Sequence, residues 1–274
     1  MISIRTTIIC AVSLGFSLAM MNNRNQAVAQ PNPALMAKIA ESAPIPAAEI
    51  PVPVKAAVAA SDRPAQDREL DTGRKPEQML AFFGIGPGMK VADLFAGGGY
   101  TTELLSRVVA PDGKVYSQNP DFPEKYKKIG EAWEQRLKEP ALSNVVAVHK
   151  SFSADDLLPV APGSLDAVVM NMNYHDLVGM GVDREKVNRE VFAALKPGGV
   201  FGIIDHSAKP GTGVSESTTI HRIDQKTVES EIEEAGFKLA AASSALRNPS
   251  DPRTEGPFKH RGQTDRFMLK FVKP

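Results

Sequence analysis

Two imidazole–carboxylate pairs stand out along the chain. One is His175-Asp176, within the stretch NMNYHD at 171–176, and the other is Asp205-His206, at the end of the apolar run GVFGIID. A histidine beside a carboxylate suits proton transfer near neutral pH, because its unperturbed pKa lies there and the neighbouring anion tunes it. His175 or His206 would take a proton from a nucleophilic oxygen, nitrogen or carbon. Tyr174 would orient a substrate or present its ring face to a cation. A structural role, with the ring bonded to backbone, competes with this for both histidines. A third reading groups His175, Asp176, Asp205, His206 and His221 as nitrogen and oxygen donors suited to zinc, manganese or iron, although no short fixed-spacing ligand motif is present. His149 and His260 read as packing or surface residues. A different chemistry is written in VADLFAGGGY at 91–100. There Asp93 ends an apolar run, and Gly97, Gly98 and Gly99 permit positive φ and close approach of a ligand to the backbone. Thr101 or Thr102 then opens a helix whose first N–H groups are free.

These residues need a scaffold that brings them together, and the pattern of the chain supplies one. Short apolar runs read as strands over 90–94, 114–117, 145–149, 167–171, 200–205, 238–242 and 266–272. Amphipathic segments over 101–109, 123–138, 184–195 and 226–235 read as helices between them. DAVVM and GVFGIID are apolar on both faces, as a sheet covered by helices on both sides requires. The alternation predicts a doubly wound, mostly parallel α/β sheet of seven strands. Its last two strands follow one another without a helix, so the last strand is expected to run antiparallel. Ligands of such sheets bind at the carboxyl ends of the strands, where Asp93, Asn171 and His206 fall. Upstream, the charged run SDRPAQDRELDTGRK leads to Pro76, a suitable first residue for the helix PEQMLAFF, which GIGPG ends. Trp133 reads as the apolar-face residue of the 123–138 helix.

Several of these segments together resemble the class I S-adenosylmethionine-dependent methyltransferases. VADLFAGGGY resembles their first motif, DAVVMNMNYHDL their fourth-strand motif, and LKPGGVFGIID the following turn and fifth strand. IDQKTVESEIEEAGFKL resembles the helix and sixth strand that close the fold. The likeness runs from about Arg74 to Val272. The chain also resembles a bacterial group of predicted exported methyltransferases that carry DLFAGGGY and TDRFMLKF segments. The resemblance implies S-adenosylmethionine as cofactor and a small-molecule acceptor. Gly97, Gly98 and Gly99 would lie against the methionine part, with Asp93 orienting the loop and Asn171 at the end of the fourth-strand motif. The ribose would fall to Gln118 or Asn119, where the family carries an acidic residue. Ser153 and Asp155 would lie in the adenine-binding turn. Phe95 replaces the first glycine of the motif.

Composition narrows the function classes. The first residues carry Arg5, an apolar run of about 14 residues, too short to span a bilayer, and Ala27-Val28-Ala29, a small-x-small cleavage pattern. This predicts a signal peptide over 1–29, cleaved after Ala29, and an exported, periplasmic protein with no membrane span after cleavage. The Pro- and Ala-rich segment 30–60 reads as a flexible arm, and 61–274 as one domain of Rossmann-like type. The only cysteine, Cys10, lies in the leader, so the remaining chain builds neither disulfides nor thiolate metal sites. Loss of Arg5 and Arg24 with the leader leaves 30 basic against 32 acidic residues. That near-neutral balance, without a basic stripe, argues against nucleic-acid binding. The leading expectation is in-line methyl transfer to a small molecule, assisted by a strand-end histidine. The alternatives are a non-catalytic exported protein using the same fold to bind a nucleoside-like or other small ligand, and the His/Asp metal site.

Overall fold

The structure, a computed structural model, describes residues 40–274. The expected leader and the segment 30–39 lie outside the described residues. Eight strands form one sheet in the order β1-β7-β8-β6-β5-β2-β3-β4. These are β1 (Glu41–Ser42), β2 (Lys90–Leu94), β3 (Lys114–Asn119), β4 (Val145–His149), β5 (Leu165–Asn171), β6 (Leu195–His206), β7 (Lys238–Ser243) and β8 (Arg266–Val272). All neighbours run parallel except β8, which is antiparallel to both β6 and β7. From β2 the chain winds outward through β3 to β4 on one side, and through β5 to β6 on the other. The β2/β5 boundary is therefore the switch point of the sheet, where the carboxyl ends open a crevice.

The central strands are buried on both faces because helices cover both. Val168 and Met170 of β5 join one core, with Leu177, Val187 and Val228 from α6 (Tyr174–Gly179), α7 (Arg184–Ala194) and α9 (Gln225–Glu234). Ala167 and Val169 join the other, with Leu80, Phe83 and Leu104 from α3 (Pro76–Phe83) and α4 (Tyr100–Val109). Gly202 of β6 is glycine for a packing reason. A Cβ there would stand 2.8 Å from the Phe83 ring, so α3 lies flat on the sheet only if that atom is missing. Asp183 and Asp224 cap α7 and α9, their carboxylates accepting from Lys186 N–H and Lys226 N–H at 3.0 Å each. The expected 123–138 helix is shorter: a 3-10 turn at Glu124–Tyr126 precedes α5 (Lys127–Arg136). Among the described residues no helix is long and apolar enough to cross a membrane.

The flexible arm expected over 30–60 is corrected for its second half, and with it the strand count. Residues Glu41 and Ser42 pair in parallel with Ala242 and Ser243, which adds an eighth strand at the sheet edge. Ile45 exchanges two hydrogen bonds with the Gln78 amide, at 2.7 and 2.8 Å. Then α1 (Val52–Ala59) packs on α3 and α4, burying Val54 and Ala57. Val54 and Ala57 lie three residues apart on one face of the helix, and Ile50, in extended backbone just before it, is buried in the same core. Pro51 and Pro53 sit at the helix start, where the missing N–H has no intrahelical partner to lose. The charged run that follows forms α2 (Ala65–Arg74), ended by Lys75 at φ 45°.

Candidate active site

A cavity of about 600 Å³ opens at the carboxyl ends of β2, β5 and β6. Asp67, Leu70 and Arg74 of α2 and the loop 257–262 line it from above. Its first wall is the glycine turn between β2 and α4. Three residues there take the left-handed conformation: Phe95 (φ 58°), Gly97 (φ 58°) and Gly99 (φ 86°). For a phenylalanine this costs about 1–3 kcal/mol, so the surroundings must enforce it. They do so through two amides. Gln118 Oε1 accepts from Phe95 N–H at 3.1 Å, while its Nε2 donates to Lys150 O at 2.6 Å. Asn119 Oδ1 accepts from Gly97 N–H at 2.8 Å, and its Nδ2 donates to Gly97 O at 3.1 Å. Arg136 Nη1 donates to Gly98 O at 2.9 Å, and its Nη2 meets Asp67 and Glu103 at 2.5 Å each. Behind the turn, Trp133 lies so close that a Cβ on Gly99 would fall 2.1 Å from the indole. On the cavity side Gly97 and Gly98 are open: a Cβ would meet nothing within 4 Å at the first, and only Ile129 at 3.9 Å at the second.

The floor carries Asp93 and Asn171. Asp93 is 1% exposed and accepts from Thr102 Oγ1 at 2.6 Å. Burial pushes its carboxyl up to about 7. Asn171 donates from Nδ2 to Thr101 Oγ1 at 3.2 Å, while its buried Oδ1 has no partner.

The opposite wall holds the histidines. His175 opens α6, and Asp205 grips it twice: Oδ2 accepts from the His175 N–H at 2.8 Å and Oδ1 stands 2.7 Å from ring Nδ1. The other ring nitrogen, Nε2, is 3.3 Å from Asp176 Oδ1, which in turn is 3.4 Å from His221 Nδ1. Burial alone would lower the His175 pKa, but the Asp205 and Asp176 carboxylates push it up to about 10. His206, with ring centroid 6.0 Å from that of His175, goes the other way. Burial, helped by His175 and by Arg266 and Arg222, pushes it down to about 3 against the pull of Asp205. Its Nδ1 pairs with Thr264 Oγ1 at 2.9 Å. Near neutral pH the site thus holds one charged and one neutral imidazole side by side. Arg74, Arg261 and Arg266 also line the cavity, and among the described residues none of the three forms a salt bridge. The Arg74 guanidinium lies 4.3 Å from the Tyr100 ring centroid, and burial lowers its pKa.

The structure brings Asp93, Gly97, Gly98, Asn171, His175 and His206 onto one cavity, together with Thr101, Asp176 and His221, and leaves Tyr174, Gly99, Gln118, Asn119, Ser153 and Asp155 off it. Tyr174 is fully buried, its OH donating to Glu231 at 2.9 Å and accepting from Asn188 at 2.9 Å, so it ties α6 to α7 and α9 and faces no substrate. Gln118 and Asn119 are buried and spend their amides on the turn. Gly99 serves the packing of Trp133. Ser153 is exposed, and Asp155, fully exposed, pairs with Lys186 at 2.7 Å on the far side of the loop after β4. Sequence reasoning missed Asp67, Arg74, Arg136, Thr264 and Arg266. The charged run bracketed by Pro64 and Pro76 was the one signal for the first two.

The chain is 35% identical over 120 residues to a demethylmenaquinone methyltransferase of Lactococcus lactis subsp. lactis, an overlap of 44% of this chain and 43% of that protein. It thus spans less than half the length of that curated relative. Among solved structures, a SAM-dependent methyltransferase from Aquifex aeolicus superposes with a TM-score of 0.53 at 21% identity, covering 76% of this chain and 97% of that one. The [4+2]-cyclase SpnF superposes equally, at 0.53 and 15% identity, covering 77% and 81%. At such identities these two structures speak for the fold, a doubly wound α/β sheet of Rossmann-like type, and not for the reaction. Residues 75–221, just over half of the chain, match the ubiE/COQ5 methyltransferase family, and the chain belongs to that family of S-adenosylmethionine-dependent methyltransferases.

Proposed function

We propose that the protein transfers a methyl group from S-adenosylmethionine to a small acceptor held in the same cavity. The residues present fit that cofactor. The open faces of Gly97 and Gly98 make a cradle that side chains would fill, and the unpartnered Asn171 Oδ1 and the Asp93 carboxyl are acceptors suited to an ammonium group. Arg74 and Arg261 offer guanidinium groups to a carboxylate. When bound, the cofactor supplies a methyl group on a sulfonium, electrophilic enough that catalysis is mostly positioning. The chain's own part is to hold the acceptor between the turn and the histidines. His206, kept neutral, accepts a hydrogen bond from the acceptor at Nε2, since Nδ1 is engaged with Thr264, and takes the proton only as the arriving methyl makes it acidic enough for so weak a base. His175, kept cationic by two carboxylates, steadies the negative charge left on the acceptor. The observation that carries this reading is one cavity that joins the open glycine turn to His175 and His206. Met172 and Phe258 on the same wall, together with the quinone-directed activity named for the relatives, favour an aromatic acceptor bearing a ring hydroxyl.

The test is transfer of labelled methyl from S-adenosylmethionine to a panel of reduced quinols and simple phenols. Turnover that falls by about 10²–10⁴ in His206→Ala, with cofactor affinity kept, supports the assignment. A second reading, ligand binding without transfer, draws on the inward-turned Gln118 and Asn119 amides, which leave no acidic ribose partner at the end of β3. Cofactor binding with no transfer to any acceptor would favour it. We also propose that the leader over 1–29 directs export, which amino-terminal sequencing of the secreted chain checks: a start at Gln30 supports it, and a retained Met1 does not.

A further inference from the structure

We propose that His175 Nε2, Asp176 Oδ1 and His221 Nδ1 form a binding site for a divalent cation of zinc type on the wall of the active-site cavity. One ligand atom from each of the three residues lies within 4.8 Å of the others, with edges of 3.3 Å from Nε2 to Oδ1 and 3.4 Å from Oδ1 to Nδ1. A tetrahedral ion with bonds of about 2.0–2.1 Å sets neighbouring ligand atoms roughly 3.3–3.4 Å apart, so two edges fit as they stand. Two imidazoles and one carboxylate are also the donor set of zinc sites that keep a position open.

The support around these ligands is what a metal site requires. Asp205 holds His175 Nδ1 at 2.7 Å and is itself held by the backbone N–H groups of His175 and His206, at 2.8 and 2.7 Å. A ring nitrogen pinned by a buried carboxylate directs the opposite nitrogen, and its lone pair, at the ion. His221 is fixed independently. It follows α8 (Ser217–Ile220) in a left-handed conformation, φ 52° and ψ 51°, and its ring stands edge-on between His175, at 5.4 Å, and Phe258, at 5.1 Å. The side chains of Asp176 and His221 are 32% and 37% exposed, so an ion has a path from the cavity. Without an ion, the His175 Nε2–H faces Asp176; a bound ion takes that proton's place, and its charge then replaces that of the imidazolium in steadying the acceptor. Sequence spacing gave no hint, because His221 comes from a distant loop after β6. All three ligands line the cavity assigned to the acceptor, so an ion held there would be in reach of a ring hydroxyl oxygen. That role rests on the methyl-transfer reading, whereas the site itself does not.

The test uses the tag-free chain from Gln30 to Pro274, stripped with a chelator and titrated with zinc against a chromophoric competitor, then with cobalt(II) as a spectroscopic probe. The expected result is one equivalent of zinc and visible cobalt bands of a four-coordinate site. Both weaken by more than about tenfold in His221→Ala, a partly exposed position that leaves the core untouched, and by about 10–100-fold in Asp205→Asn. No zinc uptake, or equal uptake in His221→Ala, overturns the site. Binding of S-adenosylhomocysteine to the stripped chain is read in parallel. If it persists without zinc uptake, the metal inference fails alone; if zinc binds and the nucleoside does not, the methyltransferase reading fails alone.

Discussion

The two walls of the cavity are built on opposite principles. The glycine turn is shaped mostly by neutral groups: the Gln118 and Asn119 amides splint it and Trp133 packs behind it, with Arg136 adding a charged contact at the Gly98 carbonyl. The wall at the ends of β5 and β6 is built from charge: Asp205 buried between two histidines, with Asp176 and His221 beyond. Hydrogen bonds between neutral groups fix a shape across the whole pH range. Buried titratable groups fix protonation states instead: His175, Asp205 and His206 are each held away from the ordinary value by burial or a neighbour. The first wall is suited to holding a ligand in place and the second to moving its protons.

The largest expected effect tests a charge that crosses into the first wall. Asp93 has its carboxyl raised by burial to about 7, against 3.8 ordinarily. The folded chain therefore keeps a proton that the unfolded chain gives up, so stability falls as pH rises from about 4 to about 7 and is level above. The loss approaches about 4 kcal/mol, at 1.36 kcal/mol per unit. Urea denaturation across that range would show Asp93→Asn losing less stability than the parent. An equal slope in both would mean that Asp93 ionises normally.

Within the turn itself, two adjacent glycines separate packing from binding. Gly99→Ala drives a methyl into Trp133 at a positive φ and is expected to cost about 3 kcal/mol. Gly98→Ala meets open space and should stay within about 1 kcal/mol while weakening cofactor binding. Tyr174→Phe removes a hydroxyl shared by Glu231 and Asn188; an expected loss of about 1–2 kcal/mol in stability with kcat unchanged would place it in the scaffold. A large fall in kcat at full stability would return it to the site. The smallest effect belongs to Asp155→Ala, fully exposed, for which calorimetry should find cofactor affinity unaltered.

The scaffold was more legible in the sequence than the site. The strands at Lys90–Leu94, Val145–His149 and Arg266–Val272 coincide with the expected ones, because each is a compact apolar run with clear boundaries. Strand β1 escaped because two residues carry no period, and α1 because its prolines resemble an extended arm. Asp93, Gly97, Asn171, His175 and His206 could be placed because strand ends converge in this topology. Which way a side chain turns at a strand end was not legible. Gln118 and Asn119 point into the turn and Tyr174 into the core, each choice set by a partner 14 to 57 residues away. Arg136 and Arg266 reach the cavity, and Thr264 reaches His206, only through tertiary packing, which leaves no local pattern.

The central claim, that the open glycine turn seats S-adenosylmethionine, is tested most directly by calorimetric titration of the chain from Gln30 to Pro274 with S-adenosylmethionine and S-adenosylhomocysteine, beside Gly98→Arg. The substituted side chain has room at its root and lies on the cavity wall, so the variant should fold and block the site. One-site micromolar binding in the parent and none in the folded variant is the expected result. No heat in the parent, or the same heat in both, would contradict it.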